Sequence, residues 1–176
     1  MDARQFIQTI GLGWYRDETR SNQVELFRGV PHLLLQSFTV DSIAERLVHL
    51  VEDSLDPSLW TAASHREKWV FCDPYNVYVP AVLVCRGTDH RAINAKDAGL
   101  VIDVASRSNH ERIVVGRQIY LRSGLRTHWM IDPIEGVLQE TSLEGVKDYR
   151  PGEPVPIDLD GVVYGHFDLG DIYEHV

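Results

Sequence analysis

The stretch GLVIDVAS, residues 99 to 106, constrains the fold more than any other part of the chain. It is a short, continuously apolar run that reads as a buried strand, and Asp103 interrupts it. An ionised carboxylate in that setting costs several kcal/mol unless a cation, a metal or hydrogen-bond donors compensate it. The rest of the chain therefore has to bury this strand and bring a partner to Asp103.

The flanking segments indicate how. Asp2 is placed to cap a first helix carrying Phe6 and Ile10, and GLGW at 11 to 14 reads as a turn, because it lacks the third glycine of a dinucleotide loop. VELFRGVPHLLL, 24 to 35, has two apolar runs around Arg28-Gly29 and predicts a β-hairpin. In DSIAERLVHLVEDSL, Ile43, Leu47, Leu50, Val51 and Leu55 recur at helical spacing, and Ser42 with Glu45 forms a capping-box pattern at its start. KWVFCD, 68 to 73, and NVYVPAVLVCR, 76 to 86, read as strands, the second with an edge or bulge at Pro80.

Beyond the Asp103 strand, residues 111 to 123 predict a helix ended by Gly124, and THWMIDP a strand stopped by Pro133 on which VLQE turns back. The tail, with Pro151, Pro154 and Pro156, ends in two short apolar pieces around Val162 and Phe167. This order of helix, strands, helix and strand predicts an α/β sandwich around a mixed sheet. No repeat or linker-like stretch divides residues 1 to 176, so one domain is expected.

Composition bounds the function. Cys72 and Cys85 are too few for a disulfide framework and read as free thiols in a reducing setting. The start has no apolar signal region and no run approaches about 18 apolar residues, which predicts a soluble, cytoplasmic protein. A net charge of -9 argues at first sight against nucleic acid, yet residues 1 to 131 carry 15 basic against 15 acidic side chains, and the excess of acid falls in the remainder. Arg107, Arg112, Arg117, Arg122 and Arg126 face only Glu111 as counter-charge between residues 104 and 128. Steps of five residues do not hold side chains on one helical face, so a scattered, solvated distribution is the plain reading of these arginines.

Taken together, VELFRG, NVYVPAVLV, GLVIDVAS and YLRSGLRTHWMIDP resemble the Uma-two type of restriction-endonuclease-like domain, a bacterial branch of the PD-(D/E)XK nuclease superfamily. The resemblance covers nearly the whole chain. It implies a restriction-endonuclease-like α/β fold and hydrolysis of DNA phosphodiesters: acids on adjacent strands hold Mg²⁺, and a helix lysine helps to position or activate water. Carried over residue by residue, the strand acid is Asp103, the Pro-Asp position is Pro80-Ala81, and the helix lysine falls on Gly116 with Arg117 beside it. Two catalytic groups are thus replaced. Arg117 is available to hold a phosphate but not to act as a base.

Two functions follow from different classes. In one, Asp103 binds Mg²⁺, Asp103 and Arg117 serve catalysis, and Arg107, Arg112 and Arg122 contact DNA. In the other, the chain is a pseudo-nuclease that binds nucleic acid or a protein partner, with the acidic tail as a candidate surface, and needs no cofactor. In that case Asp103 is satisfied by Arg117, Ser106 or loop N–H groups. A homodimer is a fair expectation for either. Asp73 reads as a turn opener with a lesser prospect of serving the site, and Glu25 as a surface or capping acid with a lesser prospect of lining the cleft. His110 is expected to be the only histidine near that cleft, and Trp129 and Asp132 read as architectural. No histidine spacing suggests zinc, and no serine stands in a GxSxG setting.

Overall fold

A computed structural model describes residues 1–11, 23–34, 38–64, 68–87 and 91–173. The GLGW turn lies largely outside them.

Helix α1 (Ala3–Gly11) starts at Asp2, whose carboxylate accepts the Gln5 N–H at 2.9 Å, as a capping acid should. Strands β1 (Gln23–Phe27) and β2 (Val30–Leu34) form the expected hairpin. Arg28 and Gly29 both turn with positive φ, 52° and 79°, the combination that matches strand twist in a two-residue loop. Helix α2 (Phe38–Glu52) begins four residues before Ser42, so the Ser42/Glu45 pattern lies inside it and caps nothing. Strand β3 (Trp60–Ser64) follows, then β4 (Trp69–Asp73) and β5 (Asn76–Tyr78).

The segment expected to be a single strand over 76–86 is divided. Val79, Pro80 and Ala81 separate β5 from β6 (Val82–Arg86), and the two belong to different sheets. Pro80 has no N–H to continue a ladder, which makes it a natural crossing point. Strand β7 (Ala92–Asn94), a 3-10 turn at Ala95–Asp97 and β8 (Ala98–Val104) come next. Helix α3 (His110–Arg122) then leads into β9 (Thr127–Asp132), β10 (Val137–Ser142) and β11 (Gly145–Tyr149). A second hairpin, β12 (Pro154–Leu159) with β13 (Val162–Asp168), and the short α4 (Gly170–Tyr173) complete the described chain.

One sheet runs β2-β1-β5-β4-β7 and the other β11-β10-β9-β8-β6-β3, in which β8 and β9 are parallel and the remaining pairs antiparallel. All seven residues of β8 are buried, so both its faces are covered and, Asp103 apart, the strand reads apolar. On one face Leu100, Ile102 and Val104 join Val82, Val84, Trp129 and Ile131 against Ile43, Leu47 and Val51 of α2. On the other, Val101 joins Leu83, Tyr78 and Tyr120. The tail does more than end in two apolar pieces: Val155, Ile157, Leu159 and Phe167 of the last hairpin lie in the larger core. The architecture is the mixed α/β arrangement expected from the sequence.

Candidate functional site

Period-two geometry puts Val101 and Asp103 on the side of β8 that faces α3. Asp103 is 2% exposed and accepts a hydrogen bond at 2.9 Å from Nε2 of His128. His128 lies on β9, the parallel neighbour, where it pairs with Val101, and it is fully buried. The tightest partner of Asp103 is therefore a histidine one strand away.

The expected Asp103–Arg117 pair does not form. Arg117 donates to Gln139 and Thr141 on β10. Along α3 the buried positions are Ile113, Gly116 and Tyr120, and five residues of helix turn Arg117 about 140° away from Arg112. The intervening geometry sends Arg112 toward the hairpin sheet and Arg117 toward β10.

Glu25 departs furthest from its expected surface role. It is completely buried, accepts from Nη1 of Arg112 at 2.9 and 2.8 Å through its two oxygens, and takes the Val79 N–H at 2.9 Å. The backbone break between β5 and β6 thus supplies a free N–H to this acid. Burial raises the Glu25 carboxyl from 4.5 to about 7, with Arg112 and Val79 pulling it back and Asp103 pushing it further up. Burial alone would lower the Arg112 guanidinium, but Glu25 and then Asp103 outweigh it and hold the group above its ordinary value. The two acids share one electrostatic environment across the two sheets.

Tyrosines wall this cluster. Tyr78 and Tyr120 rings lie 4.9 Å apart, and Tyr120 stacks on His128 at 5.5 Å. Burial holds both phenols above their usual range. A Cβ on Gly116 would lie 3.4 Å from the Tyr78 ring, so the helix position that resembles the nuclease lysine carries a glycine where a tyrosine ring fills the space. Four buried polar atoms here have no hydrogen-bond partner among the described residues: Tyr78 Oη, Tyr120 Oη, Arg112 Nε and His128 Nδ1. Continuing the β6–β8 register by one step sets Ala81, itself buried, across from Asp103.

These residues do not fit the Mg²⁺ that the sequence resemblance implies. No acid stands at Ala81, both oxygens of Glu25 are taken by Arg112, and Asp103 is held by His128. Among the described residues, no group of three or more His, Cys, Asp or Glu is arranged to hold a metal.

The other candidates lie apart. His110 is exposed at the start of α3. Arg107 and Arg122 are exposed near its two ends, whereas Arg112, expected beside them as a DNA contact, is turned inward with a side chain 19% exposed. Arg126 and Arg86 both reach Asp160 at 3.1 Å. Asp73 opens a turn, accepting from Tyr75 and Asn76, and Asp132 does the same for Ile134 and Glu135. Trp129 is buried and donates to Glu140. Cys72 and Cys85 are free thiols. No described helix is long and apolar enough to cross a membrane.

No family model matches the sequence, and no curated protein does. Among solved structures, the chain is similar to a protein from Anabaena variabilis described as "a putative nuclease belonging to DUF820", with a TM-score of 0.72 and 15% sequence identity. The match covers 85% of this chain and 89% of that one. It is a likeness of fold, and the fold is the restriction-endonuclease-like one that the sequence suggests.

Proposed function

We propose that this chain is a nuclease-fold protein that has given up metal-dependent phosphodiester hydrolysis and works as a binding module, with nucleic acid as its ligand. The observation that carries the reading is the state of the two interior carboxylates. A hydrolytic metal needs open carboxylate oxygens, room for water and a substrate phosphate. Glu25 instead gives both oxygens to Arg112, Asp103 is bonded to His128, and Tyr78 packs against Gly116.

Nucleic acid is favoured as the ligand by Arg107 and Arg122, exposed near the ends of α3 with no carboxylate bonded to them among the described residues. Phosphate contact by such side chains gives sequence-independent, salt-sensitive binding. The test is incubation of the purified chain with supercoiled plasmid and Mg²⁺ or Mn²⁺, followed on a gel. The proposal expects retarded plasmid at low salt with no nicked or linear product. Cleavage that disappears in a folded Asp103→Ala variant overturns it. Absence of retardation, with cleavage also absent, moves the ligand from nucleic acid to a protein.

A further inference from the structure

We infer that the cleft between the end of β6 and β7, one strand from each sheet, binds a small organic acid. The ligand is a molecule with an apolar body and one carboxylate or phosphate group, and Arg86 and Lys96 receive its charge. The cleft has a volume of about 380 Å³, within the range of small-molecule sites. Its floor is apolar, because Trp60, Cys85, Ile93 and Ala98 line it and each is 6% exposed or less. Its rim is polar, with Arg86, Lys96, Asn94, Asp97 and Asp160. None of these side chains belongs to the carboxylate cluster, so the site stands whether or not the chain binds nucleic acid.

Arg86 is positioned before any ligand arrives. It stands directly opposite Trp60 in the β3–β6 register, which puts both side chains on one face of the sheet. The guanidinium lies 4.7 Å from the centroid of the Trp60 ring, and its Nη2 donates to Asp160 at 3.1 Å. The ring is fixed in turn: its N–H donates to Tyr164 Oη at 3.0 Å, and it fills space at Gly99, where a Cβ would come within 2.6 Å of it. Held by the stack and one ion pair, Arg86 keeps Nε and Nη1 without a hydrogen bond among the described residues. A fixed guanidinium with free donors matches the oxygens of a carboxylate or a phosphate. The charge balance agrees. Asp160 is shared, with Oδ1 on Arg126 and Oδ2 on Arg86 at 3.1 Å each, and Asp97 accepts from the Asn94 amide at 3.0 Å. Lys96 reaches the rim because Gly124, with φ of 98°, has no Cβ to meet the lysine Cβ at 2.9 Å. Arg86, Arg126 and Lys96 thus outweigh Asp97 and Asp160, and the surplus positive charge suits an anion.

The experiment titrates the intact chain with naphthoate, naphthyl phosphate and the neutral naphthamide. Binding is read from the Trp60 indole N–H resonance in a proton–nitrogen correlation spectrum, assigned with Trp60→Phe. The three probes share one apolar body, so differences among them report the acid group. At least one acid should shift the resonance saturably and bind roughly tenfold more tightly than naphthamide. The tighter acid identifies the group as carboxylate or phosphate. That advantage should shrink severalfold in Arg86→Gln, and also in Lys96→Gln, which leaves the Trp60 stack in place. No saturable shift at Trp60 overturns the inference. So do acids that bind no more tightly than naphthamide, and an advantage that survives both substitutions. A chain that binds the acids but fails to retard plasmid refutes the nucleic-acid reading and leaves this site standing.

Discussion

Replacing His128 by leucine tests the pairing at the centre of the molecule. Asp103 is 2% exposed and His128 not at all, so water cannot substitute for the lost Nε2–H donor. Breaking a buried polar pair from one side leaves the survivor uncompensated, at a cost of about 3 to 5 kcal/mol. Loss of the stacked Tyr120 contact adds at most about 1 kcal/mol. For a chain of 176 residues this predicts a melting temperature lower by roughly 10 °C. The informative variant is the double one. With Asp103→Val the strand reads as unbroken apolar sequence between Ile102 and Val104, and both desolvated polar groups disappear. Asp103→Val/His128→Leu should therefore be more stable than His128→Leu alone, by about 2 kcal/mol or more. Urea unfolding read by tryptophan fluorescence measures this. A double variant as unstable as the sum of the two single ones would refute a buried, mutually compensating pair.

The Glu25 carboxyl is raised from 4.5 to about 7, so between those values the folded chain keeps a proton that the unfolded chain has released. Stability should fall as pH rises through that window, by about 3 kcal/mol from this group, and urea midpoints of wild type against Glu25→Gln should show the slope removed in the variant. Gly116→Lys, which returns an amine to the helix, should destabilise the fold by roughly 1 to 3 kcal/mol, because its Cβ would sit in contact with the Tyr78 ring at 3.4 Å and the rest of the side chain would need the room that ring fills. Tyr78→Ala should relieve part of that loss, as thermal melts of the double variant would reveal. Arg107→Gln/Arg122→Gln should weaken duplex binding and flatten its salt dependence by roughly two in slope, read by fluorescence anisotropy; an unchanged slope places the contact elsewhere.

Much of the fold is legible from local pattern. The hairpin at Arg28-Gly29, helix α3 and the β9–β10 pair follow from turn residues and periodicity, which act over short range. The division at Pro80 is only half visible, since a proline signals a break but not a change of sheet. The site is harder to read because its partners are assigned by strand order. Asp103 advertises the need for a donor, yet nothing local identifies β9 as its parallel neighbour. Alternation in THWMID does put His128 and Met130 on one face, so the histidine is findable once that pairing is known. Glu25 sits in a hairpin whose partner sequence is mostly exposed, and its burial comes from contacts 54 and 87 residues away. Arg112 and Arg117 look alike in sequence, and only the rotation of α3 against two different sheets separates them.

The central claim is that the interior carboxylates are already engaged by side chains of the chain itself. Isothermal titration of the wild-type chain with Mn²⁺ at neutral pH addresses it most directly. The account predicts no saturable heat at submillimolar metal. A single site in that range, abolished by Asp103→Asn and by Glu25→Gln in variants that remain folded, would contradict it and return the cluster to metal chemistry.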